Sequence, residues 1–280
     1  MFVYESRFLT RGEVWFDEKP DGTRVDWIYH RQRSSPLANH RWKTFYTVLV
    51  DLRKTPTTLF AVMDDKTARK ITQAQENDKL RCERCDARDA RIIAETEAMW
   101  NKFAAAQKTP PLDRPWLDQF RRAGVLDIVA ARDPSGNVLV YHLVLLTPNR
   151  ARQLIAISPF KAIPSTTWRN AVSRANCLLH WHNFQSYSEQ GIAHFDFGGW
   201  YPGTTDIQLL GMNTFKMSFG GVVVKEFDCE QPVSFKGRVA LRLAKMLPGF
   251  SDTRPQSGRG LENKRHEPAA REHRISPAFR

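Results

Sequence analysis

From residue 125 to 197 the chain runs through three strand-length apolar stretches, one long helix-periodic segment and a fourth apolar stretch, an order that few folds accommodate. Residues 125–131, 138–146 and 153–158 read as strands, the first two joined by the hairpin turn Asp133-Pro134-Ser135-Gly136-Asn137. A helix over about 173–190 carries Cys177, Trp181 and Phe184 at i, i+4 and i+7 and stops at Gly191. Residues 192–197 form the next strand and 221–227 the last. Upstream, residues 86–107, rich in Ala, Glu, Met and Arg, predict a helix stopped by Thr109-Pro110-Pro111, and a second helix over about 115–123 ends at Gly124. Helix pair, antiparallel meander, helix, strand, strand predicts an α/β domain with a mixed central sheet and helices on both faces.

Ahead of this block, residues 13–16 and 24–30 predict a hairpin closed through Lys19-Pro20-Asp21-Gly22. Residues 45–51 read as a buried strand and 55–75 as one helical tract, on which Lys66, Arg69 and Lys70 are candidate phosphate contacts or a solvated basic face. With 280 residues, 41% hydrophobic residues and eight tryptophans, the chain can bury a sizeable core. No run reaches the roughly 18 apolar residues of a membrane span. The start, MFVYESRFLTRGEVW, lacks a signal peptide's unbroken apolar region, so the expectation is cytoplasmic residence.

Residues 194–221, HFDFGGWYPGTTDIQLLGMNTFKMSFGG, carry the strongest chemical signal. A short apolar run breaks at Gly198-Gly199, and Lys216 sits between Phe215 and Phe219 in what reads as buried strand. A cation in such surroundings calls for an anionic or developing oxyanionic partner, unless it snorkels to water. Asp196-Phe197-Gly198-Gly199, Phe215-Lys216 and Phe219-Gly220-Gly221 together resemble the closing part of the acyltransferase domain of the FemAB/FemX aminoacyltransferases and their acetyltransferase-like relatives of the GNAT clan. A looser match is Asp51-Leu52 followed by Lys70-Ile71 near Arg69. The resemblance covers roughly residues 45–228 and implies a GNAT-like acyltransferase fold, in which an acyl donor meets an amine at a central splay of the sheet. Three segments follow: 1–78 as a partial first subdomain, 79–230 as the acyltransferase domain, and 231–280 as a basic helix and tail.

The resemblance further implies that Lys216, with Phe215 nearby, faces the acyl carbonyl of the donor. Asp196 and His194, two residues apart on one face at the end of a core strand, are candidate proton acceptors. A buried, backbone-bonded Asp196 that orients the following loop stays open as the alternative. Arg169, Arg174 and Asn176 are candidate phosphate contacts. Acetyl-coenzyme A users of the GNAT fold carry a glycine-rich pyrophosphate turn before the central helix, whereas here no glycine occurs from Ser165 to Trp181. That favours aminoacyl-tRNA over an acyl thioester of coenzyme A or a carrier protein as donor, with no tightly bound cofactor. The implied reaction forms an amide on an amino group of a cell-envelope precursor of peptidoglycan or amino-sugar type. The alternatives are a thioester-dependent N-acyltransferase acting on a small molecule, and a degenerate acyltransferase fold that binds nucleic acid or a membrane surface.

The chain is basic, with formal net charge +12, and residues 231–280 hold eleven Lys/Arg against four Asp/Glu, so 11 − 4 = +7 of that charge lies in the tail. Within it, Val239, Leu243 and Leu247 stand four residues apart beside Arg238, Arg242 and Lys245, which reads as a short basic amphipathic helix ending at Pro248-Gly249. Such a helix either caps the core or attaches the protein at the inner membrane face. From Arg254 onward the composition predicts disorder. Cys82 and Cys85 form a lone Cys-x-x-Cys without a second pair, and His180 and His182 fall on different helix faces, so no metal site is expected.

Overall fold

The computed structural model describes residues 1–6, 8–106, 109–158 and 165–246. Its framework is one ten-stranded mixed sheet with strand order β1-β2-β3-β10-β4-β9-β8-β7-β6-β5. The strands are β1 (Phe2–Ser6), β2 (Leu9–Trp15), β3 (Trp27–Arg33), β4 (Arg41–Asp51), β5 (Arg81–Cys85), β6 (Leu126–Arg132), β7 (Val138–Leu146), β8 (Arg150–Ile157), β9 (His194–Gly199) and β10 (Val222–Pro232). The helices are α1 (Pro56–Ala61), α2 (Asp65–Glu76), α3 (Ala90–Ala106), α4 (Arg114–Arg122), α5 (Thr166–Glu189), α6 (Ile207–Met217) and α7 (Phe235–Met246). The meander β6-β7-β8, the helix pair before it and the strand after α5 follow the order read from sequence.

Both faces of the sheet are covered. On one, Trp116, Leu117 and Phe120 of α4 and Ile93 of α3 pack on Ile128, Tyr141, Leu143 and Leu154. On the other, Cys177, Trp181, Phe184 and Tyr187 of α5 pack with Leu59, Ile71, Phe195, Phe197 and Phe219. The ring of Phe184 lies 5.0 Å from Phe195 and 5.7 Å from Phe219, edge-biased contacts that add to its burial.

Several expectations are corrected. Residues 13–16 and 24–30 do not form a hairpin: β2 pairs antiparallel with β1 instead, and β2 and β3 pair in parallel, Arg11 opposite Trp27, after a long return loop anchored by the Thr10 N–H on Asp26 Oδ2 at 3.0 Å. Gly22 does adopt a positive φ, but it lies inside that loop and does not join paired strands. The tract 55–75 is two helices, because Asp64 caps α2 by accepting from the Lys66 N–H at 2.8 Å. The segment carrying Lys216 is not strand but α6, started by Asp206, whose carboxylate accepts from the Gln208 and Leu209 N–H groups. It ends at Met217 with Ser218 as its cap, and the turn that follows closes at Gly220, where a positive φ of 77° suits glycine. Helix α5 begins seven residues before its expected start, capped by Ser165. The boundary expected at residue 78 does not divide the sheet, since β10 pairs with both β3 and β4. Its end at Pro232 also crosses the boundary expected at 230. The expected disorder from Arg254 lies outside the described residues.

Phe184 is fully buried amid this aromatic layer, so Phe184→Ala is expected to cost about 3–5 kcal/mol of unfolding free energy. Urea denaturation checks this, and a loss below about 1 kcal/mol would contradict the packing described.

Candidate functional site

Strands β8 and β9 run parallel but stay paired only through Arg150–His194, Ala151–Phe195 and Arg152–Asp196. Past that point β8 continues against β7, with Ile157 opposite Tyr141, while β9 stays with β4, Thr47 opposite Gly199. The sheet therefore opens between Gln153 and Phe197. Among the described residues the buried Gln153 Nε2 has no hydrogen-bond partner. Lys216 reaches the end of β9 from α6.

Its Nζ donates to Gly198 O at 3.0 Å and also to Gly199 O. The side chain is 7% exposed, and burial, reinforced by the charge of Arg152, pushes its pKa down to about 7, with Asp196 opposing. A protonated amine has three hydrogens, so two engaged carbonyls leave one for a further acceptor. Gly198 permits this arrangement through its positive φ of 73°, and a Cβ there would collide with the Arg152 guanidinium. Both glycines named from sequence thus hold the lysine through their carbonyls.

Asp196 has no solvent exposure. Its Oδ1 accepts from Thr47 Oγ1 and from the Gly198 N–H at 2.7 Å, and its Oδ2 from Gln32 Nε2 at 2.8 Å and Arg150 Nη1 at 3.3 Å. Burial opposes its ionisation, but Arg152, Arg150 and these hydrogen bonds outweigh that and hold it below the usual carboxylate range. This is the arrangement of a carboxylate that orients the loop at Gly198, the alternative left open above. Glu226 shares the same donors, Gln32 Nε2 at 2.8 Å and Arg150 Nη2 at 2.8 Å. Burial, with the neighbouring Asp196 charge, pushes its pKa up to about 7 against the pull of Arg150. Arg152 Nε donates to Gln32 Oε1 at 2.5 Å.

Gln32 is the hub of this cluster, and its backbone is strained: φ is +53° in a non-glycine residue on β3, where its N–H donates to Asp228 Oδ1 at 3.0 Å. Gln32, Arg150, Arg152 and Glu226 were not singled out from sequence. The signal was present for two of them, because Arg150 and Arg152 alternate at the head of a strand that continues as an apolar run and so share a buried face.

The other sequence candidates disperse. His194 is half-buried at the opposite end of β9 beside Asp51 and Arg53, its pKa lowered by burial and by Arg53. Phe215 packs into the aromatic layer, 5.2 Å from Phe219 and 5.6 Å from His180. Arg174 is committed to Asp78 by two hydrogen bonds of 2.5 and 2.9 Å, and Asn176 Oδ1 is 2.8 Å from His142 Nε2 inside the core. Arg169 bonds Thr166 at 3.1 Å, Lys70 bonds Ser173 at 3.1 Å, and Arg69 is exposed on α2. Cys82 and Cys85 are free thiols on β5, both pushed up by burial, to about 12 and about 11. Among the described residues no group of three His, Cys, Asp or Glu side chains is placed to hold a metal ion, and no helix is long and apolar enough to cross a membrane.

No family model and no curated protein sequence matches this chain. Solved structures do. FemX aligns with TM-score 0.55 at 13% identity, over 72% of this chain and 63% of its own length. L-PGS from Bacillus licheniformis aligns with TM-score 0.51 at 14% identity over 77% of this chain and 72% of its own. The C-terminal domain assigned to a lysylphosphatidylglycerol synthetase from Agrobacterium fabrum aligns with TM-score 0.50 at 17% identity, over 79% of this chain and 72% of its own. At these identities the likeness is one of fold: the chain has the GNAT-like acyltransferase fold expected from its closing motif.

Because Lys216 is held at a pKa of about 7 against a reference of 10.5, the unfolded chain binds more protons between those values, and stability contributed by this site rises with pH across that window. Lys216→Met should flatten the rise. Urea midpoints at a series of pH values from 7 to 10 check it; parallel curves for the two proteins would contradict the buried, depressed amine.

Proposed function

We propose that this protein is an acyltransferase that forms an amide, moving an aminoacyl or acyl group onto an amino group of a cell-envelope precursor of peptidoglycan or amino-sugar type. The observation that carries the reading is Lys216, buried where β8 and β9 part and fixed on the Gly198 and Gly199 carbonyls. At that opening an acyl carbonyl can lie along the freed strand edge. Attack by the amine breaks the carbonyl π bond and places negative charge on oxygen, toward which protonated Lys216 turns its remaining hydrogen. Collapse expels the leaving oxygen or sulfur, which takes the proton lost by the amine. Asp196 acts as a positioning residue, holding the Gly198 loop and hence Lys216.

For the donor, the reading favours aminoacyl-tRNA. The sequence from the end of β8 into the first turn of α5, SPFKAIPSTTW, has no glycine with which to cradle a pyrophosphate. The similarity in fold to FemX and to lysylphosphatidylglycerol synthetase supports a substrate of the cell envelope. An acyl thioester donor and a small-molecule acceptor form the second reading, favoured if the protein binds coenzyme A.

Lys216→Ala is expected to lower turnover about 10²- to 10³-fold. Lys216→Arg should restore part of it, and the wild-type rate should fall as pH rises through about 7, the pKa of Lys216, as the amine loses its proton. A wild-type rate in the alanine variant would remove Lys216 from the chemistry, and a rate that climbs through the same pH range would make it a base instead. Calorimetric titration with coenzyme A should give a Kd weaker than about 100 μM. Micromolar binding would replace the tRNA donor with a thioester.

A further inference from the structure

Helix α7 has its apolar side outward. Two residues packed closely on the body are small: Gly237, where a Cβ would strike the Asp26 carbonyl, and Ala240, which is 7% exposed. Leu241 is half-buried on the same side, whereas Phe235, Val239 and Leu243 face solvent, 79%, 38% and 43% exposed. Four-residue spacing sets these three on one stripe of the helix. Exposed Lys236, Arg238 and Arg242 flank the stripe, and residues 233–246 contain no acidic residue. A helix that only seals a core buries its bulky residues, yet here Phe235, Val239 and Leu243 are all exposed.

The helix is nevertheless firmly seated. Ser234 Oγ accepts from the Gly237 N–H at 3.0 Å and donates to Asp26 Oδ1 at 2.5 Å, and Lys236 pairs with Asp26 at 3.4 Å. Beside its first turn lies an open cleft of about 540 Å³ lined in part by Thr23, Arg24, Val25, Val233 and Ser234. Arg24 and Val233 are exposed there. Trp42, 54% exposed, stands at the same end of the sheet, since its neighbour Arg41 is opposite Glu230, two residues before β10 ends.

We propose that α7 and the cleft at its base dock on an anionic phospholipid bilayer. Phe235, Val239 and Leu243 enter the boundary between headgroups and acyl chains, while Lys236, Arg238, Arg242 and Arg24 meet the lipid phosphates. Charge complementarity selects this occupant. A second copy docked face to face would oppose like charges, and a nucleic acid would leave the aliphatic Val239 and Leu243 without a partner. The seating on Asp26 presents the stripe preformed, so binding carries no cost of folding the helix. The inference concerns attachment and does not rest on the acyl-transfer reading.

The test is flotation of the full-length protein with phosphatidylcholine vesicles made with and without phosphatidylglycerol. The wild type should float with the anionic vesicles and release as salt is raised. Phe235→Ser/Leu243→Ser should weaken flotation about tenfold or more at an unchanged urea midpoint. Arg238→Glu/Arg242→Glu should weaken it as strongly. A dye sensitive to its surroundings, attached at Phe235→Cys, should shift to the blue on anionic vesicles. Wild-type flotation of the serine variant would assign the binding to tail charges alone and overturn the proposal. So would equal binding to both kinds of vesicle, an unshifted dye, or a wild-type dimer that the serine variant dissolves while neither protein floats.

Discussion

The buried carboxylate of Asp196 sets the terms for the centre of the sheet. With no solvent exposure, it is tolerable only if every lone pair is met, and its partners come from four strands: Gln32 on β3, Thr47 on β4, Arg150 and Arg152 on β8, and the Gly198 N–H on β9 itself. Removing one partner leaves a buried charge short of compensation, a penalty of about 3–5 kcal/mol for a broken buried pair. A slip of one residue in β9 would turn the carboxylate to the aromatic face occupied by Phe195 and Phe197. The register of the central strands is therefore tied to one side chain. Glu226 enters through the same Gln32 amide and the same Arg150 fork, so two carboxylates and two guanidinium groups share one formally neutral cluster.

That cluster also determines the condition of Lys216. Arg152 fills the space that a side chain at position 198 would need, which requires glycine there, and its charge helps lower the lysine's pKa. The two glycine carbonyls receive Nζ because β9 has parted from β8 at the very pair, Arg152–Asp196, that anchors the cluster. The position and protonation of the lysine thus follow from interactions whose primary effect is structural. Asp196 is better understood as the group that places Lys216 than as one that exchanges protons with a substrate, because its oxygens are occupied and its pKa is held low.

How much of this could be read from the sequence depends on how local the information was. The meander and the helices around it were legible because Gly136, Gly124 and Gly191 punctuate long stretches of consistent period. Lys216 and the two glycines were legible because a charge among aromatics and paired glycines is unusual in itself. Helix α6 was missed because Gly211 interrupts its period and Phe215, with Phe219 just beyond its end, imitates a strand, while its true signal was the single cap Asp206. The parallel pairing of β2 and β3 was missed because a Pro-Asp-Gly turn is the same whether the chain then pairs directly or circles back. Arg174 and Asn176 were misjudged for a different reason. Their partners, Asp78 and His142, lie far away in sequence, and nothing local distinguishes a committed polar side chain from a waiting one.

Gln32 shows most clearly why the first strands belong to the site and do not form a separable unit. An amide side chain offers both a donor and an acceptor, so one residue can serve Asp196 and Glu226 through Nε2 and Arg152 through Oε1, which no carboxylate or guanidinium could do. Reaching all three from β3 requires a backbone φ of +53°, a conformation that costs about 1–3 kcal/mol outside glycine and persists only where its surroundings over-determine it. Here they do: the Gln32 N–H is fixed by Asp228, and the register of β10 shifts between Phe227 and Cys229 to accommodate the distortion. The strain in the N-terminal part is sustained by polar groups of the C-terminal part, whose two buried carboxylates, paired in charge with Arg150 and Arg152, receive the hydrogen bonds of the Gln32 amide only because the N-terminal part is there. Neither half of the sheet holds its native geometry without the other, and Lys216 stands where the two meet.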